Sequence, residues 1–89
     1  MAIILSKVEP EVCEYSDPEG NSLTIEVVLP GVSKQNIKLK VRTDSILISA
    51  TSDNTDYSKY IYLNQAVIPN MVKAVYEHGL LRITLPLRT

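Results

Sequence analysis

Apolar residues recur at every second position through most of the chain. Leu23, Ile25, Val27 and Leu29 share one side, with Thr24 and Glu26 on the other. Ile37, Leu39 and Val41 alternate with Lys38, Lys40 and Arg42, and Ile46, Ile48 and Ala50 continue the rule. Ile61 and Leu63 alternate with Tyr60 and Tyr62; Val72, Ala74 and Tyr76 alternate with Lys73 and Val75. Leu81, Ile83 and Leu85 close the series, alternating with Arg82 and Thr84. A period of two places alternate side chains on opposite faces of a pleated strand, whereas a helix needs apolar positions three and four apart. One wet face and one dry face is the habit of antiparallel sheets.

The separators fit the same picture. Residues 17–21 (DPEGN) form a turn cluster, and Pro30-Gly31 ends a strand because proline cannot donate to an interior ladder. Asp44-Ser45 marks a tight reversal, 52–56 (SDNTD) a polar loop, and 64–71 a longer connection with Pro69-Asn70. His78-Gly79 reads as a hairpin turn, where glycine supplies a positive φ. Residues 33–36 have room for one 3₁₀ turn. Short, regularly spaced strands predict an all-β fold: an immunoglobulin-like antiparallel β-sandwich of six to eight strands, burying its inward rows between two sheets.

Composition narrows the function. The chain has 89 residues, one domain's worth, with nine Lys plus Arg against ten Asp plus Glu. That balance disfavours a nucleic-acid partner, which usually selects a basic excess. A 45% apolar content is enough for a core. Trp and Phe are absent, so five Tyr supply the aromatic bulk, each with a hydroxyl that needs water or a partner. Cys13 is alone, which excludes an intrachain disulfide, and is expected as a small buried or half-buried apolar residue. The apolar run 1–5 is far too short for a signal peptide or a membrane span, so a cytoplasmic protein with no membrane partner is expected.

Catalytic chemistry is not written in the sequence. His78 is the one histidine, and its neighbours offer no second metal ligand at useful spacing. Three glycines, none in a G-x-G pattern, exclude the usual phosphate loops. No nucleophile elbow is present. Lys34, Lys38, Lys40 and Arg42 form a basic run, but no aromatic residue interleaves it as base stacking requires. A solvated outer strand face, with lysines blunting a sheet edge, is the expected role. Neither an enzyme nor a cofactor or metal is expected.

Two segments carry a resemblance. LPGVSKQNIKLKV, 29–41, resembles the opening signature of the α-crystallin domain of small heat-shock proteins: strand, Leu-Pro-Gly-Val, a short polar turn, then Ile and an alternating charged strand. AVYEHGLLRITLP, 74–86, resembles the closing signature Ala-x-x-x-Asn-Gly-Val-Leu with a following strand and Leu-Pro. Pro30, Gly31, Ala74, Gly79 and Leu81 match; His78 stands where the family usually has Asn, and Leu80 where it has Val. PEVCEYSDPEG, 10–20, resembles the family's first strand. The resemblance implies an α-crystallin-like domain over 10–87, preceded by a short segment 1–9. It implies an ATP-independent holdase that binds partly unfolded clients and associates with itself through sheet edges.

In the family, a groove between the fourth and eighth strands receives an Ile-x-Ile/Val segment. Carried over by matching strands, its lining is drawn from Leu39, Val41, Val72, Ala74 and Val75, with Val75 the suggestive position because it is out of phase with its inward neighbours. Ile3 with Leu5, or Leu85-Pro86-Leu87, could stand in for the anchor. The family usually has a long N-terminal arm, a C-terminal extension and an exchanged strand; with 1–9 before the first strand and 88–89 after the last, the expectation here is a domain without the strand-swapped dimer or the large cage. Five polar residues at 52–56 reach about 17 Å, which suits a local connection. That short loop also fits a CS-type adaptor binding a defined folded partner, or a sandwich accessory to a larger ATPase.

Overall fold

A computed structural model of the chain describes residues 6–88. Eight strands follow in order: β1 (Ser6–Val8), β2 (Val12–Ser16), β3 (Ser22–Val28), β4 (Ile37–Val41), β5 (Ser45–Thr51), β6 (Thr55–Tyr62), β7 (Lys73–Glu77) and β8 (Leu80–Pro86). Single 3₁₀ turns, Lys34–Asn36 and Pro69–Met71, precede β4 and β7. The strands form two four-stranded sheets, β1-β6-β5-β4 and β2-β3-β8-β7. This is the expected all-β sandwich.

The inward rows make the core. Leu23, Ile25 and Val27 of β3 face Leu81, Ile83 and Leu85 of β8 across one sheet, in the register Leu23↔Leu85, Ile25↔Ile83 and Val27↔Leu81. The other sheet contributes Ile46, Ile48 and Ala50 of β5 and Ile61 of β6, and Leu29, Val32, Leu63 and Val67 close the ends. All are buried aliphatic residues. The four central strands thus supply the dry layer, and burial of these side chains is the main term holding the sheets together.

Two features depart from the period-two reading. The sheets are antiparallel except that β1 runs parallel to β6, with Ser6 opposite Thr55 and Val8 opposite Tyr57. Three residues are too few to show a period, and β1 reaches its place by a crossing between sheets, not by a hairpin. Buried Pro10 sits at that crossing, where no backbone donor is needed. Cys13 is exposed, not half-buried. It lies opposite Glu26 on the outward row, while its neighbour Val12 lies opposite Val27 and packs on the core.

The hairpin between β7 and β8 turns at His78 and Gly79, whose φ values are 52° and 79°. Positive φ at both central residues is the demand of a type I′ turn, which asparagine followed by glycine meets best. Histidine tolerates this region; a β-branched residue does not. His78→Val is expected to cost about 1–3 kcal/mol, the range for a strained backbone. In thermal melts His78→Val is expected to lower the midpoint and His78→Asn to hold or raise it.

Candidate functional site

Each sheet has two end strands, and an end strand shows one row of backbone groups without a ladder partner. β4 ends its sheet beside β5, and β7 ends the other beside β8. The segments around them are tied together. Before β4, the Tyr76 hydroxyl of β7 shares its proton between the carbonyls of Leu29 (2.7 Å) and Val32 (2.8 Å). After β4, the Val67 amide donates to the Thr43 carbonyl at 2.8 Å, on the connection that leads into β7. Both flanks of β4 are therefore fastened to β7 or its approach, which lays the two end strands along one border of the sandwich.

The stretch 29–32 is built for that fastening. Gly31 has φ 73°, the left-handed geometry a Pro-Gly corner uses, and the corner turns Leu29 and Val32 into the core. The Leu29 amide donates to the Gly79 carbonyl at 2.8 Å, so the opening and closing signature segments meet in space. Tyr76 was legible as an inward residue from its parity. Its phenol, which must find a partner when half-buried, was the signal for a polar clamp there.

The five lining candidates separate. Leu39, Val41 and Val72 are half-buried and pack against the core from the border. Ala74 lies opposite Ile83 on the inward parity but is exposed, since β7 has no further strand to cover it. Val75 lies opposite Arg82, on the outer face of its sheet, and is 53% exposed. It neighbours Glu77, His78, Leu80 and Arg82 there, and does not share a wall with Leu39 and Val41. Four of the five thus have inward parity on or beside the two strands of that border, and Val75 does not. Of the anchor candidates, Ile3 and Leu5 lie outside the described residues. Leu85-Pro86-Leu87 is consumed by the fold: Leu85 is fully buried and Leu87 bridges to Val67.

The border carries no reactive constellation. Among the described residues, no three His, Cys, Asp or Glu side chains gather to hold a metal ion. The ion pair between Arg82 Nε and Glu26 Oε2, at 2.9 Å, lies on the outer face of the second sheet. That hydrogen bond to Glu26 holds the guanidinium above its usual value. Desolvation, then the charge of Glu26, pushes the nearby Tyr15 phenol up. What the border offers is backbone edge and aliphatic surface. No helix among the described residues is long and apolar enough to cross a membrane.

A model of the Hsp20/alpha crystallin family matches residues 16–89. The chain belongs to that family. It is 30% identical to a probable 15 kDa heat shock protein of Leptospira interrogans over 93 aligned positions, covering 89% of this chain and 70% of that protein. Among solved structures, heat shock protein 16.0 of Schizosaccharomyces pombe superposes with a TM-score of 0.79 at 19% identity, covering 92% of this chain and 68% of that one. A small heat-shock protein of Xylella fastidiosa gives 0.77 at 17% identity, over 92% and 88%. Small heat-shock proteins are chaperones, not enzymes, and as a family they assemble and bind client proteins.

Within this small heat-shock fold, the Tyr76 clamp is expected to set the border. Tyr76→Phe keeps the ring and leaves the Leu29 carbonyl, beside the buried Leu29 side chain, without its donor. The expected loss is about 1–3 kcal/mol in denaturant unfolding, with amide exchange at Leu29, which donates to the Gly79 carbonyl, accelerated more than in the neighbouring β3.

Proposed function

We propose that this chain is an ATP-independent holdase that takes partly unfolded polypeptides along the β4–β7 border. The observation that carries the reading is that β4 and β7 each end a sheet with no further strand among the described residues, while Leu39, Val41 and Val72 on or beside them are only half-buried. Unfolding clients expose apolar side chains and unpaired backbone. A border with both features covers both, by strand addition and by burial. Family membership supports the same reading.

The same chemistry lets copies of the chain associate. Ile3 and Leu5 of a neighbouring copy would offer the border an Ile-x-Leu pair on one side of an extended segment. Exchange of a strand is not the route proposed. β5 ends at Thr51 and β6 begins at Thr55, so only Ser52, Asp53 and Asn54 join them. That short join also favours a second reading, a CS-type adaptor holding one folded partner.

An aggregation assay separates the two. With a heat-unfolded client and no ATP, near-stoichiometric chain is expected to suppress light scattering. Leu39→Asp with Val41→Asp is expected to abolish suppression while the far-ultraviolet circular dichroism stays that of a β protein. Tight binding to one folded protein without suppression would establish the adaptor instead. Native mass at several concentrations tests self-association, and an unchanged mass after deleting residues 1–5 would remove that segment as the anchor.

A further inference from the structure

The outer face of the first sheet has a chemistry that the border does not use. Lys38 and Lys40 fill the outward row of β4 and Arg42 continues it just past the strand's end, all exposed. The aromatic residues absent from that strand arrive from two strands away. The register sets Lys40 opposite Leu47 and Leu47 opposite Tyr60; Ser45 lies opposite Tyr62 and its carbonyl accepts the Arg42 amide at 2.8 Å. Cation, short or half-buried residue, and tyrosine thus repeat in successive rows across the sheet.

The rings are presented outward. Tyr60 is 47% and Tyr62 80% exposed, with centroids 4.9 Å apart and planes tilted by 51°. The Tyr60 hydroxyl donates to Ser45 Oγ at 3.2 Å, which leans that ring across β5 toward the cations. A cleft of about 150 Å³ opens between Lys40, Arg42, Ser45, Leu47 and Tyr60. Six of the ten acids lie on or beside the second sheet, Glu11, Glu14, Asp17, Glu19, Glu26 and Glu77, while Glu9 stands against the first and pairs with Lys59 of β6 at 3.7 Å. On this face Asp56 is at the far end of β6, and Asp44 is in the turn after Arg42. A nearly neutral chain has segregated its charge.

We propose that this face binds single-stranded nucleic acid, with phosphates along the β4 row and bases stacked on Tyr60 and Tyr62. Along a strand, same-face residues repeat every ~6.8 Å, and the cation and tyrosine rows stand two strand spacings, roughly 10 Å, apart. Long Lys and Arg side chains close part of that gap. Lysines on an end strand also discourage edge pairing, but that role has no use for two exposed rings alongside. Duplexes hide the base faces that such rings need, and single strands offer them. An anionic membrane is the weaker fit: interfacial binding buries an apolar wedge, and the aliphatic side chain in these rows, Leu47, is half-buried within the sheet.

The test is fluorescence anisotropy of labelled oligo-dT and oligo-rU of about 12 nucleotides, within the size such surfaces cover, titrated with the full chain. Affinity is expected to fall with salt at a log–log slope of about −2, from three phosphates at roughly −0.7 each. Lys40→Glu is expected to weaken binding at least tenfold on the order of one charge-assisted contact reversed. Lys73→Glu, the same charge change on the second sheet, should shift it by less than about twofold if position and not net charge matters. Tyr62→Ala is expected to cost about 5- to 100-fold, the worth of one stacked base, with the salt slope unchanged. No anisotropy change at low salt overturns the proposal. Equal losses from Lys40→Glu and Lys73→Glu overturn it as mere net charge. Co-flotation with vesicles of acidic phospholipid, with no oligonucleotide binding, overturns it in favour of a membrane surface.

Discussion

A two-sheet sandwich of four strands each has four end strands, and every end strand leaves a row of backbone groups facing no partner. That constraint shapes this molecule more than any side chain does. The central strands β3, β5 and β8 hold complete rows of buried aliphatic residues, and β6 beside them adds Ile61. The end strands β2, β4 and β7 carry partly buried or exposed residues on both faces. Soluble proteins usually blunt such edges. Here β4 is blunted by lysines on its outer face only, and its inner face keeps Ile37, Leu39 and Val41 against the core. The edge is charged toward solvent and greasy toward the border.

A border of this kind works only if its two strands keep their spacing. Sheet-to-sheet packing through aliphatic side chains is strong but not directional, and nothing in it fixes how far β4 stands from β7. The polar ties at either end of β4 do. Tyr76 to the 29–32 corner and Val67 to Thr43 are directional hydrogen bonds between one sheet and the chain leading into or out of the other. The Leu-Pro-Gly-Val corner thus has a physical reason: it turns two core residues inward and leaves their carbonyls where a phenol can reach them. Membership of the Hsp20/alpha crystallin family places that border in a fold whose members are chaperones.

Much of this was legible beforehand because period two is a strong signal. Parity alone assigned Ile25, Ile48 and Ile83 to the core, and the turn residues bounded the strands. What parity could not carry was position within a sheet. Ala74 has inward parity and is exposed, because the residue's face and the number of neighbouring strands are separate facts. Cys13 failed for the opposite reason, since its apolar character suggested burial and its parity did not. β1 was invisible: a three-residue parallel strand is specified by where the chain crosses, not by its own pattern. Val75 was singled out for being out of phase, and out of phase in a strand means the other face.

The same logic explains how one small chain can hold two surfaces that do not interfere. An edge presents backbone and inner-row side chains; a face presents outer-row side chains only. β4 contributes to both, Leu39 and Val41 to the border and Lys38, Lys40 and Arg42 to the outer face, because consecutive residues point to opposite sides. A partner strand added at the β4 edge would extend the first sheet and lengthen its outer face, not cover it. Occupancy of the border would then leave Tyr60 and Tyr62 as open as before, since they stand on β6, two strands in from that edge. The two surfaces share a strand without sharing an atom that a ligand must touch, so a substitution at one parity of β4 changes one surface and spares the other.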